Sequence, residues 1–227
     1  MPHHRFTITP VAECALMIHF DENFIEADIG KYAGAIGLHL QSSVMNVVPA
    51  YHTILVEYLP FRLNEAAIVR QLHALLTEQV KMELETKPIR HLIPVYYAAE
   101  TALDLVRFQE NGIDLEQLID MHSQTDYEVS AVGFTPGFAF LSGVDSRLSL
   151  PRLASPRVKV PKGSVAIAET KTAIYPSDSP GGWNIIGRTP SEVYQPNQQP
   201  ITLFSIGDIV TFKPIAKDEF LHLGGTL

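Results

Sequence analysis

The sequence predicts two domains: an α+β amino-terminal domain of order βαββα over residues 1–84, and a mainly β domain over residues 91–227. Three observations predict this. Helix and strand periodicities alternate through the first third of the chain. A polar stretch containing Pro88, from Lys81 to Arg90, then interrupts them and places the boundary there. Between Gly133 and Pro190, proline and glycine recur so densely that no helix runs through, leaving short strands and shaped loops.

Taken in order, Phe6 to Phe20 reads as one or two strands, with Ala15-Leu16-Met17-Ile18 as the apolar part. Asn23 is placed to cap a helix carrying Ile25, Ile29, Ala33, Ile36 and Leu40 at helical spacing. Val44 to Val48 reads as a short strand ended by Pro49, and Thr53 to Leu59 as its hairpin partner. Asn64 caps a second helix that buries Ile68, Leu72, Leu75 and Leu76. Beyond the boundary, His91 to Tyr97 is a strand. A short helix over Leu103 to Gln109 stops near Gly112, and Asp114 caps another that turns Leu115, Leu118 and Ile119 inward and ends near His122. Strands then follow at Glu128–Val132, Val165–Ala168, Ile201–Phe204 and Ile209–Phe212, with Gly207-Asp208 as the turn before the last. Many short strands between turn signals indicate a barrel or a sandwich.

Composition narrows the function classes. A hydrophobic content of 46% with a mean hydropathy of +0.08 fits a soluble globular protein. The longest apolar runs fall far short of the ~20 residues of a membrane span, and Met1 to Phe6 lacks the apolar core of a signal peptide. The single cysteine, Cys14, excludes an internal disulfide and a cysteine-based zinc cage. These features predict a cytoplasmic protein without a membrane partner. A formal charge of −8 argues against nucleic acid as a partner. The charge is uneven, however. Ser146 to Gly163 holds five basic residues (Arg147, Arg152, Arg157, Lys159 and Lys162) and no acidic one. That excess predicts that Arg152 and Arg157 face an anionic ligand or the acidic surface of a partner.

The stretch from Gly133 carries a specific pattern: Gly133-Phe134-Thr135-Pro136-Gly137-Phe138-Ala139-Phe140-Leu141, Pro151-Arg152, Pro156-Arg157 and Val160-Pro161-Lys162-Gly163-Ser164. It continues through Ile174-Tyr175-Pro176, Ser179-Pro180-Gly181-Gly182-Trp183 and Gly187-Arg188-Thr189-Pro190. This order resembles the KipI family, also called allophanate hydrolase subunit 1 or the B-type subunit of 5-oxoprolinase. The chain departs from the family's pattern at Phe140, where Tyr is usual, and at Ala166, Glu169 and Ala173, where Gly is usual. Lys171 stands in place of Gln, and Ala12-Glu13 in place of Gly-Asp. The resemblance implies that the carboxy-terminal domain is a cyclophilin-like β-barrel. It also implies one subunit of an ATP-dependent 5-oxoprolinase, inactive alone, which converts the small lactam 5-oxoproline to glutamate together with companion subunits. The implied chemistry phosphorylates the lactam oxygen from ATP, at a site shared with another subunit, and opens the carbonyl carbon to water. The alternative the family offers is a non-catalytic protein that inhibits a sensor histidine kinase. A divergent member acting on another lactam or amide is a third reading.

The residues themselves propose several sites. Gly182 to Thr189 has Walker A spacing with Arg188 in the lysine position, but Ile185-Ile186 demands burial and Pro190 forbids a following helix, so it reads as a strand. The nine histidines form no pair or cluster with metal-ligand spacing, and no nucleophile elbow is present, so neither a metal nor a catalytic residue is predicted. His122, near a helix end, is a ligand or acid–base candidate, or a histidine bonded to the following loop. Arg147 offers a planar fork suited to carboxylate or phosphate, as do Arg152, Arg157 and Arg188, the last three each beside Pro or Gly, and Lys162 adds a charge. Phe134, Phe138, Phe140, Tyr175 and Trp183, with Pro136 between the first two, form either barrel core and loop plugs or an aromatic-walled pocket or binding face. Ser179, in Ser177-Asp178-Ser179, binds a ligand or stabilises its own turn.

Overall fold

The computed structural model describes residues 6–21, 26–79 and 88–227. The chain divides into two compact units, Met1–Pro88 and Ile89–Leu227.

The first unit holds an antiparallel sheet in the order β1-β2-β4-β3. Its strands are β1 (Phe6–Ala12), β2 (Ala15–Phe20), β3 (Val44–Ala50) and β4 (Thr53–Tyr58). Strict alternation in β4 buries Ile54, Val56 and Tyr58, which pack with Leu16 and Ile18 of β2. Ile29, Ala33 and Ile36 of α1 (Glu26–His39) and Ile68 and Leu72 of α2 (Glu65–Ala74) complete this core. The Asn64 side chain accepts from the Ala67 amide and so starts α2, which ends in a π-helical turn, Leu75–Gln79.

The order is therefore ββαββα, one strand more than the expected βαββα. The extra hairpin turns at Glu13-Cys14, where neither Gly nor Pro signals a turn; the Tyr58 amide and hydroxyl hold it through the carbonyls of Cys14 and Glu13. β3 also runs through Pro49 rather than stopping before it. Ala50 and Thr53 flank the two-residue hairpin turn, so the next pair, Pro49–Ile54, falls where no ladder bond to β4 needs the missing amide. The expected cap Asn23 and the helix residue Ile25 lie outside the described residues, as do positions 81–87 of the expected boundary.

In the second unit a ladder of strands returns on itself. β5 (Arg90–Val95) runs parallel to β13 (Ile209–Pro214), which pairs antiparallel with β6 (Asp126–Val132). From β6 the ladder continues antiparallel through β7 (Ala139–Ser142), β10 (Lys171–Ile174), β9 (Ser164–Ala168) and β12 (Asn184–Arg188). Tyr96, just past β5, exchanges both backbone bonds with Arg188 of β12, at 2.8 and 3.0 Å, and closes the ring. A separate two-stranded ribbon joins β8 (Arg157–Val160) to β11 (Ser179–Gly181). The helices are α3 (Leu105–Gln109), α4 (Leu115–Ser123) and α5 (Lys217–His222). Asp114 and Gln117 form a reciprocal capping box at the start of α4.

β9 is buried on both faces, and the period of two sorts its side chains. Val165 and Ile167 join Val95, Leu118, Leu141, Ile186 and Phe212 in the main core. Ala166 and Ala168 instead face a second cluster with Phe138, Val160, Tyr175, Trp183 and Ile185. Ala166 and Ala173 are cross-strand partners, and small side chains there leave room for the large rings above them. The expected strand Ile201–Phe204 is not formed. Thr202 makes an isolated bridge with Tyr194, and Phe204 leaves the ladder to fill the core. β7, β8, β10, β11 and α5 were not legible as separate elements, being short and set among turn residues.

Candidate functional site

The second cluster ends in an open pocket of about 280 Å³. Phe138 sits at its centre, edge-on to four rings: Phe134 at 5.2 Å, Phe140 at 5.1 Å, Tyr175 at 5.4 Å and Trp183 at 5.6 Å between centroids. Such edge-to-face contacts align the positive edge of one ring with the negative face of the next and hold each side chain in place. Pro156, Pro180 and Gly181 complete the wall. Gly181 is required here, because a Cβ would overlap the Tyr175 hydroxyl. Phe134 adopts a left-handed φ of 70° and is 65% exposed, which places an aromatic ring at the mouth of the pocket. Gly137, at φ 85°, makes the tight return, and a Cβ on it would stand 2.7 Å from that of Tyr194.

The charged lining comes from Arg152, whose guanidinium lies 5.7 Å from the centre of the Trp183 ring. Its backbone is anchored on both sides. The Pro151 carbonyl accepts from Asn184 Nδ2 and from Arg107, both at 3.2 Å, and the Leu153 amide donates to Gly182 at 2.7 Å. Asn184 also donates to the Ile167 carbonyl and accepts from Arg107, so a fully buried amide ties the arginine loop to the ring of strands. Burial raises the Tyr175 hydroxyl above its ordinary pKa; a backbone bond with Trp183 and the nearby Arg152 and Arg157 cations oppose the shift.

The other basic candidates are engaged elsewhere. Arg157 donates to Asp104 at 2.7 Å, and Asp104, 5% exposed, also accepts from the Ile185 amide at 2.7 Å. The second terminal nitrogen of Arg157 is buried without a partner. Arg147 chelates Asp145, with a shortest contact of 2.5 Å, and so does not face the pocket as a free cation. It holds the Asp145 carboxyl down to about 2, largely through that side-chain bond. Lys162 pairs with Glu192 at 2.5 Å and Lys159 with Asp178 at 2.6 Å. Of the five basic residues from Ser146 to Gly163, four thus pair with carboxylates outside that stretch: Arg147 with Asp145 just before it, and Arg157, Lys159 and Lys162 with partners distant in sequence. Arg188, 8% exposed, donates to the Thr226 carbonyl at 2.8 Å. Its segment lies in β12 with Ile185 and Ile186 sealed, which does not fit a phosphate-cradling loop.

His122 lies in the core and does not line the pocket. It is fully buried, stacked on Phe212 at 4.5 Å, with Nδ1 2.7 Å from the Tyr97 hydroxyl and Nε2 2.9 Å from Thr172 Oγ1. Desolvation pushes its pKa down to about 3, so the ring is neutral rather than stabilised as a cation by the helix end. Its partners are side chains of the core, not the following loop. Pro136 is exposed in the turn after Phe134, and Ser179 sits on β11 with its hydroxyl buried and unpartnered. Asn184, Asp104 and Arg107 position the site and escaped the sequence reading; only the chain's return brings them to the arginine loop. Among the described residues, no three His, Cys, Asp or Glu side chains gather as a metal site, and no helix is long and apolar enough to cross a membrane.

Comparison with known proteins adds the relatives. Residues 6–204 match the family described as carboxyltransferase domain, subdomain C and D. The chain is 34% identical to the B-type subunit of 5-oxoprolinase from Bacillus subtilis, over 95% of each chain. Among solved structures, TTHA0988 superposes with a TM-score of 0.75 at 35% identity, over 89% of this chain. This chain spans only 40% of that longer one. The conserved uncharacterized protein PH0987 from Pyrococcus horikoshii is 36% identical and is covered completely, with a TM-score of 0.56.

Proposed function

The chain belongs to the carboxyltransferase subdomain C and D family, among its 5-oxoprolinase members of the B type, and on that premise we propose that it is a subunit of 5-oxoprolinase. The enzyme so formed opens the lactam ring of 5-oxoproline to glutamate. The observation that carries the reading is the match to a named 5-oxoprolinase subunit over 95% of both chains. The names of the relatives lend no support to the alternative, inhibition of a sensor histidine kinase.

The finer points follow from the same reading. We take the second unit as the cyclophilin-like barrel, supported by its strand ladder closing through Tyr96 and Arg188. We take the enzyme as cytoplasmic, ATP-dependent and heteromeric. The Walker-spaced segment does not fit a nucleotide, so we assign ATP to a site completed by a companion subunit. Its own contribution is the aromatic pocket with its anchored arginine.

The test is a coupled assay of 5-oxoproline-dependent ADP release. The expected outcome is no turnover by the purified chain and robust turnover once the companion subunits are added. Turnover by the chain alone would refute the composite site, and none from the full assembly would refute the subunit reading.

A further inference from the structure

A site for a small ring bearing one negative charge needs flat apolar walls and a fixed cation at the edge. The pocket beneath Phe134 has both. Its volume of about 280 Å³ holds a small metabolite. Its single charged lining residue also matches one carboxylate, not a chain of phosphates.

Arg152 is the cation this requires. Within the basic segment, Arg147, Arg157, Lys159 and Lys162 are each neutralised by a carboxylate. Among the described residues Arg152 has no such partner and rests on the face of Trp183 instead. The ring face holds the guanidinium, and among the described residues no carboxylate takes up its donors. The bonds on Pro151 and Leu153 fix the backbone on either side, so the entropy of placing the fork is spent in folding rather than in binding. Phe134, held in a left-handed conformation that a phenylalanine adopts only when its surroundings impose it, stands at the mouth where it covers an entering ring.

We infer that this pocket is the subsite for a five-membered cyclic carboxylate, here 5-oxoproline, with the ring against Phe138 and Trp183 and the carboxylate on Arg152. The identity of the ligand rests on the 5-oxoprolinase reading; the ring-and-carboxylate chemistry rests on the pocket. Arg152 is a binding residue, and no bond-making role is assigned to it.

The protein carries its own probe, because Trp183 is its sole tryptophan. Titrating the full-length chain, and then the assembled complex, with 5-oxoproline should give a saturable change in Trp183 fluorescence. The ring without its carboxylate, 2-pyrrolidinone, should bind less well by about tenfold or more, the worth of one charged hydrogen-bonded contact. Arg152→Ala should weaken 5-oxoproline by a similar factor and erase the preference between the two ligands. Arg152→Lys should restore it in part. The inference fails if neither the chain nor the complex gives a saturable response. It also fails if both ligands bind alike in the wild type. A third overturning result is that Arg152→Ala leaves the midpoint unchanged while impairing assembly, which would make the pocket a docking surface for a companion subunit. Failure here is separable from failure of the subunit reading. Turnover by a complex whose KM ignores Arg152→Ala sinks the pocket alone. A carboxylate-dependent Trp183 response in a complex that does not turn over 5-oxoproline sinks the enzyme assignment alone.

Discussion

A histidine sealed among Phe212, Tyr127 and Tyr97 takes up a proton only by losing the acceptor role of one nitrogen and charging a dry core. His122 is therefore a stability group, and the sign of its effect is determined. Its folded pKa of about 3 lies below the ordinary 6.5, so between these values the unfolded chain binds a proton that the folded chain refuses. Stability from this group is fully present above the unfolded pKa and falls as pH drops, by about 1.4 kcal/mol per pH unit. Urea unfolding at pH 7 and pH 5 should show a loss of about 2 kcal/mol from His122 alone. His122→Gln keeps a hydrogen-bonding side chain that does not titrate, and is expected to remove that increment whatever its own baseline stability. An unchanged difference between the two pH values would contradict the assignment. The sequence showed a helix-end histidine; that α4 turns it inward, onto Thr172 of a strand distant in sequence, is visible only in the fold.

At the scale of elements, the Asp104–Arg157 pair joins the start of α3 to β8, while the second carboxylate oxygen of Asp104 holds the Ile185 amide of β12. Three elements meet on one buried carboxylate. Removing the arginine leaves that charge without its counter-ion, and Arg157→Ala should cost about 3 kcal/mol. Asp104→Ala should cost at least as much, since it also orphans a buried amide. The double variant should fall well short of the sum, because the second deletion removes a group already left unpaired. Denaturant midpoints of the four proteins measure this, and strict additivity would show that the pair does not tie the elements together. The expectation that Arg157 serves a ligand was reasonable from local charge, which counts Ser146 to Gly163 and cannot see Asp104. The same blindness applies to Lys159 and Lys162, whose partners Asp178 and Glu192 arrive from later loops.

At the scale of the molecule, each unit has buried residues of its own: β2, β4, α1 and α2 build the core of the first, and the second has its main core inside the ring of strands with the aromatic cluster beside it. We expect the two units to fold separately, with limited proteolysis cutting first between Lys81 and Arg90 and releasing a stable carboxy-terminal fragment. Early cuts confined to other regions, with no such fragment surviving, would show that the units unfold as one. TTHA0988 is a longer chain, of which this one spans 40%.

The sequence by itself determined the local features. Asn64 and Asp114 cap helices because short acceptors beside a helical apolar stripe satisfy the first free amides within a few residues. The alternation in β4 marks its buried face, and the Pro/Gly-punctuated stretch carries both the family and the aromatic cluster. Only the tertiary structure decided the rest: the parallel pairing of β5 with β13, the closure of the ring at Arg188, and the carboxylates that pair with four of the five cations while Arg152 rests on Trp183. The physical reason is range. Caps and periodicities are satisfied by neighbours along the chain. Strand partners, ion pairs and burial depend on which distant segments close over the same core, where desolvation makes the choice of counter-charge decisive.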